Sequence, residues 1–190
     1  PMSDKTLVLS LARLPRALGS TLHEDLVWAT PDDLGTPSMS AVPGVPLDVS
    51  VDMTSVEDGV LVHLSTSVDL VGECVRCLDE VRDHHDVSSA EVYFEPGAPA
   101  LTSTDDEDEE ADDLFVIGER DTISIETQLR DAIVPLVDPR PLCAPDCAGL
   151  CDVCGEKWAD LPEDHDHFVV DPRLASLASL LGEDSESGRS

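Results

Sequence analysis

Residues 47–77 read LDVSVDMTSVEDGVLVHLSTSVDLVGECVRC, and the fold follows from them. Leu47, Val49, Val51 and Met53 alternate with Asp48, Ser50, Asp52 and Thr54. Beyond Glu57-Asp58-Gly59, the apolar series Val60, Val62, Leu64, Val68 and Leu70 alternates with mostly polar neighbours. Successive side chains of a strand point to opposite faces, so period two on both sides of a glycine-containing turn predicts an antiparallel hairpin with one buried face. The second strand runs straight into Cys74-Val75-Arg76-Cys77. Residues 81–94, with Val87, Val92, Tyr93 and Phe94, predict a third strand returning beside the second, which puts the first cysteine pair in the turn between them.

Upstream, residues 5–14 predict a short strand, and residues 29–46, with Pro31, Pro37, Pro43 and Pro46, read as a loop. Downstream, residues 95–113 hold Pro96, Gly97 and Pro99. Within them, 105–113 carry eight acids and no base, too charged and apolar-poor to pack. Residues 115–117 and 122–123 look extended. Ile125, Leu129, Ile133 and Leu136 recur at helical spacing, and Pro135 limits that helix. Asp171-Pro172-Arg173, followed by Leu174, Leu177 and Leu181, predicts a short terminal helix.

The expected fold class is therefore α+β: a predominantly antiparallel β sheet with two short helices and a C-terminal cysteine-rich zinc-knuckle module. The expected organisation is a β-rich domain over 5–142 with a disordered acidic insert at about 96–113. A metal module and terminal helix follow over 143–181, then a disordered tail over 182–190.

The chain has 190 residues, a formal net charge of -30 and only 3% aromatic residues, so its core must be built from aliphatic side chains. Phosphate neutralisation by Lys and Arg supplies most non-specific nucleic-acid affinity, and this acidity opposes it. No window is long and apolar enough for a membrane span, and the start lacks a signal-peptide core. A soluble cytoplasmic protein with no small-molecule substrate is expected, Pro1 being an added residue ahead of a natural start at Met2.

Six cysteines fall in three pairs: Cys74 and Cys77, Cys143 and Cys147, Cys151 and Cys154. In a reducing compartment such pairs are metal clamps or redox centres before they are disulfides. Zinc takes four thiolate or imidazole ligands, and a C-x-x-C turn places two sulfurs on one ion. Gly155 after Cys154 tolerates the positive φ that such a turn requires, whereas Leu78 stands at the matching place after Cys77. His165 and His167 add two imidazoles, so eight candidate ligands can fill two tetrahedral sites. The favoured partition joins Cys74, Cys77, Cys143 and Cys147, and separately Cys151, Cys154, His165 and His167. A rival partition puts the four cysteines from 143 to 154 on one ion, and spacing does not choose between them. His84 and His85 are neighbours on one strand, cannot face the same site, and are set aside.

The expected role of the metal is structural. The sequence lacks the H-x-E of zinc deaminases, and a thioredoxin-like C-x-x-C belongs to a βαβ setting that is missing here. Thiol–disulfide exchange remains the minor alternative. For direct RNA binding the candidates are Lys5, Arg13, Arg16, Arg76 and Arg82, because residues 143–167 carry seven acids and one base, Lys157.

The order of these features resembles the bacterial YceD family, the large ribosomal RNA subunit accumulation proteins. The features are a sheet leading into Cys74-Val75-Arg76-Cys77-Leu78, an acidic insert, the segment 125–142, the run from Leu142 through Cys143, Cys147 and Cys151 to Cys154-Gly155, and the ending Asp171-Pro172-Arg173-Leu174. The resemblance implies a non-enzymatic factor supporting accumulation or processing of large-subunit ribosomal RNA. Its expected partner is a large-subunit ribosomal protein or pre-ribosomal particle, with ribosomal RNA itself the alternative. It also strengthens the ligand reading of His165 and His167, which stand where the family often has C-x-C.

Overall fold

The computed structural model describes residues 7–102 and 114–167. Two compact units divide the chain, Pro1–Cys147 and Ala148–Ser190. The predicted terminal helix and tail, and Lys5, lie outside the described residues.

The first unit is built on the predicted hairpin. Strand β4 (Pro46–Val56) and strand β5 (Gly59–Glu73) pair antiparallel from Val56 opposite Gly59 to Ser50 opposite Ser65. Strand β6 (Glu80–Phe94) then returns along the whole of β5. Strand β2 (Thr21–Ala29) pairs with β4, and strand β3 (Met39–Ala41) takes over beside β5 at Leu70–Gly72, past the end of β4. Beyond β6, strand β7 (Phe115–Val116) joins in parallel, making the sheet mixed. A smaller sheet pairs β1 (Val8–Ser10) with β8 (Thr122–Ser124), and the helices among the described residues are α1 (Pro99–Thr102) and α2 (Glu126–Ile133). The fold is α+β, with a predominantly antiparallel sheet and two short helices.

Alternation places Val49, Val51, Met53, Val60, Val62, Leu64, Val68 and Leu70 in one buried core. Leu9, Ile123, Leu129 and Ile133 join the same cluster from the small sheet and from α2. Burial of this many aliphatic side chains, each contributing roughly 1.5–3 kcal/mol, compensates for the scarcity of aromatics. Gln128 is the polar exception. Its Nε2 donates to the Val62 carbonyl at 3.0 Å and to Ser89 Oγ at 3.3 Å, and its Oε1 accepts from the Tyr93 hydroxyl at 3.2 Å, so helix and sheet are joined with their polar groups satisfied.

Three segments differ from the sequence expectation. The nine residues of β2 form a strand that the sequence pattern does not signal, because Glu24 interrupts an inward series of Leu22, Leu26 and Trp28. The proline-rich loop contains β3, which approaches so closely that a Cβ on Gly72 would lie 2.3 Å from the Ser38 carbonyl. The expected disordered insert from about 96 holds its first residues in place: Ala98 is buried, and its N–H bonds to the Glu95 carbonyl. Residues 103–113 lie outside the described residues. The helix expected over 125–136 is α2 followed by a 3-10 turn, Val134–Leu136, with Pro135 in its first turn.

Candidate metal centres

The first group of donors lies wholly in the first unit. Cys74 ends the β5 side of the β5–β6 turn, Cys77 stands within it, and Cys143 and Cys147 approach from the segment after α2; all four sulfurs lie within 4.8 Å of one another. Cys74 and Cys77 are buried and Cys143 is exposed. The sulfurs of Cys77 and Cys143 stand 3.5 Å apart, and those of Cys74 and Cys147 3.8 Å. A disulfide would require about 2.0 Å. Tetrahedral thiolates about 2.3 Å from an ion sit roughly 3.8 Å from each other, and the observed spacings match that polyhedron.

The second group lies wholly in the second unit. Cys151, Cys154, His165 and His167 place their donor atoms within 4.8 Å of one another. Cys154 Sγ is 3.6 Å from His165 Nε2, again the edge of a mixed sulfur–nitrogen tetrahedron, about 3.6 Å. His167 Nε2 is sequestered from solvent without a hydrogen-bond partner. A buried nitrogen with no partner is costly unless it holds something, and His167 is one of the four residues of this donor group. The imidazoles of His165 and His167 meet edge to face at 4.4 Å, with Trp158 against His165 at 5.4 Å. Both groups can hold a metal ion.

The two C-x-x-C turns share one backbone design. In the first, the Cys74 N–H donates to the Asp79 carbonyl at 2.7 Å and the Leu78 N–H to the Cys74 carbonyl at 2.9 Å. In the second, the Cys151 N–H donates to the Glu156 carbonyl at 2.7 Å and the Gly155 N–H to the Cys151 carbonyl at 2.9 Å. The residue after the second cysteine is left-handed in both, Leu78 at φ 64° and Gly155 at φ 76°. Leu78 thus adopts the glycine conformation, at about 1–2 kcal/mol of strain. Sequence gives no signal for this, since leucine is not a left-handed residue.

Thiols this close cannot all ionise unaided. The backbone N–H groups of Cys143, Arg76 and Cys77 favour a thiolate at Cys74 over the cost of burial and bring its pKa down to about 6. Cys77 goes the other way. Although the Asp79 N–H favours its thiolate, desolvation and the thiols of Cys143, Cys74 and Cys147 push Cys77 up to about 12. The N–H groups of Cys154 and Val153 lower Cys151 in the second group. A divalent cation is what would stabilise the remaining thiolates together.

The four arginines singled out from sequence that lie among the described residues are engaged within the protein. Arg13 pairs with Glu24, Arg16 bridges Glu95 and Asp121 at 2.8 Å each, and Arg82 holds Glu80 at 2.7 Å. Arg76 donates from Nη1 to the Cys147 carbonyl at 2.8 Å, and the Val75 N–H reaches the Pro141 carbonyl at 2.9 Å. These two bonds fasten the first turn to the segment carrying Cys143 and Cys147. His84 and His85 contact different carboxylates, Asp69 at 2.6 Å and Asp83 at 2.9 Å.

Residues 62–181 match the family model described as large ribosomal RNA subunit accumulation protein YceD. Uncharacterized proteins of Mycobacterium bovis and Mycobacterium tuberculosis are each 34% identical over 183 residues, covering 96% of this chain and 85% of theirs. An uncharacterized protein of Mycobacterium leprae is 33% identical over 141 residues, 74% of this chain and 62% of its own. No solved structure matches significantly. Among the described residues, no helix is long and apolar enough to cross a membrane.

Proposed function

Because the chain belongs to the YceD family of large ribosomal RNA subunit accumulation proteins, we propose that it is a non-enzymatic factor for large-subunit biogenesis. It acts in the cytoplasm, supporting accumulation or processing of large-subunit ribosomal RNA by binding a basic ribosomal protein or the precursor particle that carries it. The observation that carries this reading is the family match over 62–181. A formal charge of -30 supports a basic protein partner over bare RNA, since polyanion would be repelled and Arg13, Arg16 and Arg82 are already neutralised by neighbouring acids.

Zinc, Zn²⁺, is the metal we assign to both centres. Cys74, Cys77, Cys143 and Cys147 would hold one ion, and Cys151, Cys154, His165 and His167 the other. Bound there, zinc supplies structural cross-links, and four protein donors complete its usual tetrahedron without an open position for a substrate. The residues themselves set up the sites: Arg76 and Val75 align the first pair of segments, and the N–H groups around Cys74 and Cys151 favour their thiolates.

Depletion of the protein in its host is expected to lower the ratio of large- to small-subunit ribosomal RNA. The tagged protein, at low salt, is expected to capture a basic large-subunit protein identified by mass spectrometry. An unchanged RNA ratio together with no such capture would refute the proposal.

A further inference from the structure

Strand β6 has an open side. Strand β7 covers only its last two residues, with Tyr93 opposite Phe115 and Phe94 opposite Val116. The β5–β6 register and the bond from the Cys74 N–H to the Asp79 carbonyl make the odd-numbered residues of β6 the hydrogen-bonded partners of β5. Ser88, Ala90 and Val92 therefore turn their N–H and C=O groups outward, in the same sense as the Phe94 carbonyl, which accepts from the Ile117 N–H at 2.9 Å. No strand among the described residues receives those of Ser88 and Ala90 or the Val92 N–H, whereas the parallel register with β7 gives the Val92 carbonyl to the Phe115 N–H. Nearer the metal turn the same edge carries Arg82, Asp83, His84, His85 and Asp86, side chains of the kind that discourage strand pairing. At Ser88, Ser89 and Ala90 that guard is missing.

A hollow of 130 Å³ opens beside this stretch, lined by Ser89, Glu91, Phe115, Gln128 and Asp131 among others. Glu91 and Asp131 form no ion pair among the described residues, and the charge of both adds to the burial that raises the pKa of Tyr93. Here unpaired main-chain donors and acceptors adjoin an aromatic ring and two uncompensated carboxylates.

We propose that the edge of β6 over Ser88–Val92 accepts an extended basic segment of a partner protein as an added strand, with a Lys or Arg side chain between Glu91 and Asp131. In this mode main-chain bonds supply affinity, and flanking side chains select the sequence. The inference rests on the proposed function for the basic character of the partner. Charge argues against acidic occupants of the same edge. The segment just before β7, residues 105–113, carries eight acids and no base, and a second copy of a chain with charge -30 brings like charge to the same carboxylates.

The test uses the full chain and a fluorescent seven-residue peptide of alternating lysine and valine, with alternating glutamate and valine as control. Binding of the basic peptide, followed by anisotropy, is expected to slow amide exchange at Ala90 and Val92. Ala90→Pro removes an outward donor that β5 does not use, and Glu91→Lys with Asp131→Lys reverses the flanking charge; each is expected to weaken binding at least 10-fold. Asp25→Lys with Asp48→Lys, elsewhere on the sheet, should change it less than 2-fold. Should Ala90→Pro fail to fold, the two charge-reversed proteins still decide the matter. Equal weakening by both charge reversals, or amides at Ala90 and Val92 already protected in the free protein, overturns the proposal. Undiminished capture of the basic ribosomal protein by the Glu91→Lys/Asp131→Lys variant overturns this surface alone and leaves the proposed function standing. If the wild-type chain binds the peptide at the edge but captures no ribosomal protein, the proposed function fails and the edge survives.

Discussion

Replacing Cys77 by serine in the metal-loaded protein is expected to lower the stability of the first unit by roughly 4 kcal/mol. The magnitude follows from the span of the tie. Cys77 and Cys143 are 66 residues apart, so a metal gripping both closes a long loop in the unfolded chain. The chain-entropy relation for cross-links gives about 15 cal/mol/K for a loop of that length, hence roughly 4 kcal/mol at 25 °C. The tie from Cys154 to His165 spans only 11 residues. The same relation assigns it roughly 3 kcal/mol. Two tryptophans allow the units to be read separately: Trp28 is 2% exposed in the core of the first, and Trp158 lies against His165 in the second. Urea unfolding in a Trp158→Phe background reports the first unit through Trp28 emission. With a slope of about 2 kcal/mol/M, the midpoint of Cys77→Ser should fall by about 2 M, and bound metal should fall from two ions to one. Cys151→Ser, followed through Trp158 in a Trp28→Phe background, should shift the second unit instead. A Trp28 midpoint within about 0.3 M of the parent, with metal content unchanged, would refute the tether.

Three further outcomes test the fold and its charges. Gln128→Glu keeps the shape but sets a carboxylate oxygen against the Val62 carbonyl, at the 3.0 Å now spanned by a donor. Burial should raise the folded pKa of the new acid above its unfolded value of about 4.3. The variant should then approach the parent below that pH and lose about 1.4 kcal/mol for every tenfold rise in the acid's proton affinity on folding, as pH climbs through the folded pKa; a stability difference that stays flat with pH would contradict this. Gly72→Ala forces a Cβ to 2.3 Å from the Ser38 carbonyl. It should cost about 1–3 kcal/mol and speed amide exchange where β3 meets β5, while β4–β5 amides stay protected; unaltered exchange at Glu73, whose N–H donates to the Ser38 carbonyl, would sink the prediction. His23 is raised above its ordinary pKa, first by its hydrogen bond to Asp52 and then by Asp25. Asp52→Asn should lower it in an NMR titration. The stability contributed by protonated His23 is fully present below about pH 6.5 and disappears as pH rises through the folded pKa, so a variant with an unmoved titration would show the pair to be idle.

The β4–β5 hairpin is legible in the sequence because its alternation is unbroken from Leu47 to Met53 and resumes at Val60 beyond a glycine turn. Strand β2 is not, since an edge strand needs only partial burial and tolerates Glu24 among its inward positions. The short strand β3 depends on a distant contact, the bare backbone of Gly72, which no local pattern announces. At the candidate metal centres, spacing reveals the pairs and the chemistry of their donors. The partition requires the fold: only the path of the chain through β5, β6 and α2 brings Cys143 and Cys147 to Cys74 and Cys77, so the first unit extends to Cys147, past the boundary expected at 142. Arg76 looks like a surface cation in the sequence because its partner is a backbone carbonyl, and sequence does not display those.

The long separation of the first centre's ligands also sets an order of events during translation. At about 5–20 residues per second, Cys143 leaves the ribosome roughly 3–13 seconds after Cys77. During that interval the nascent chain presents two thiols on a finished hairpin with no second pair to join them. Residues 151–167, by contrast, emerge within about one to three seconds of each other. The four donors of the first group are complete only after β6, β7 and α2 have been made, so an ion held by all four would be captured there no earlier than the synthesis of the β-rich unit is finished.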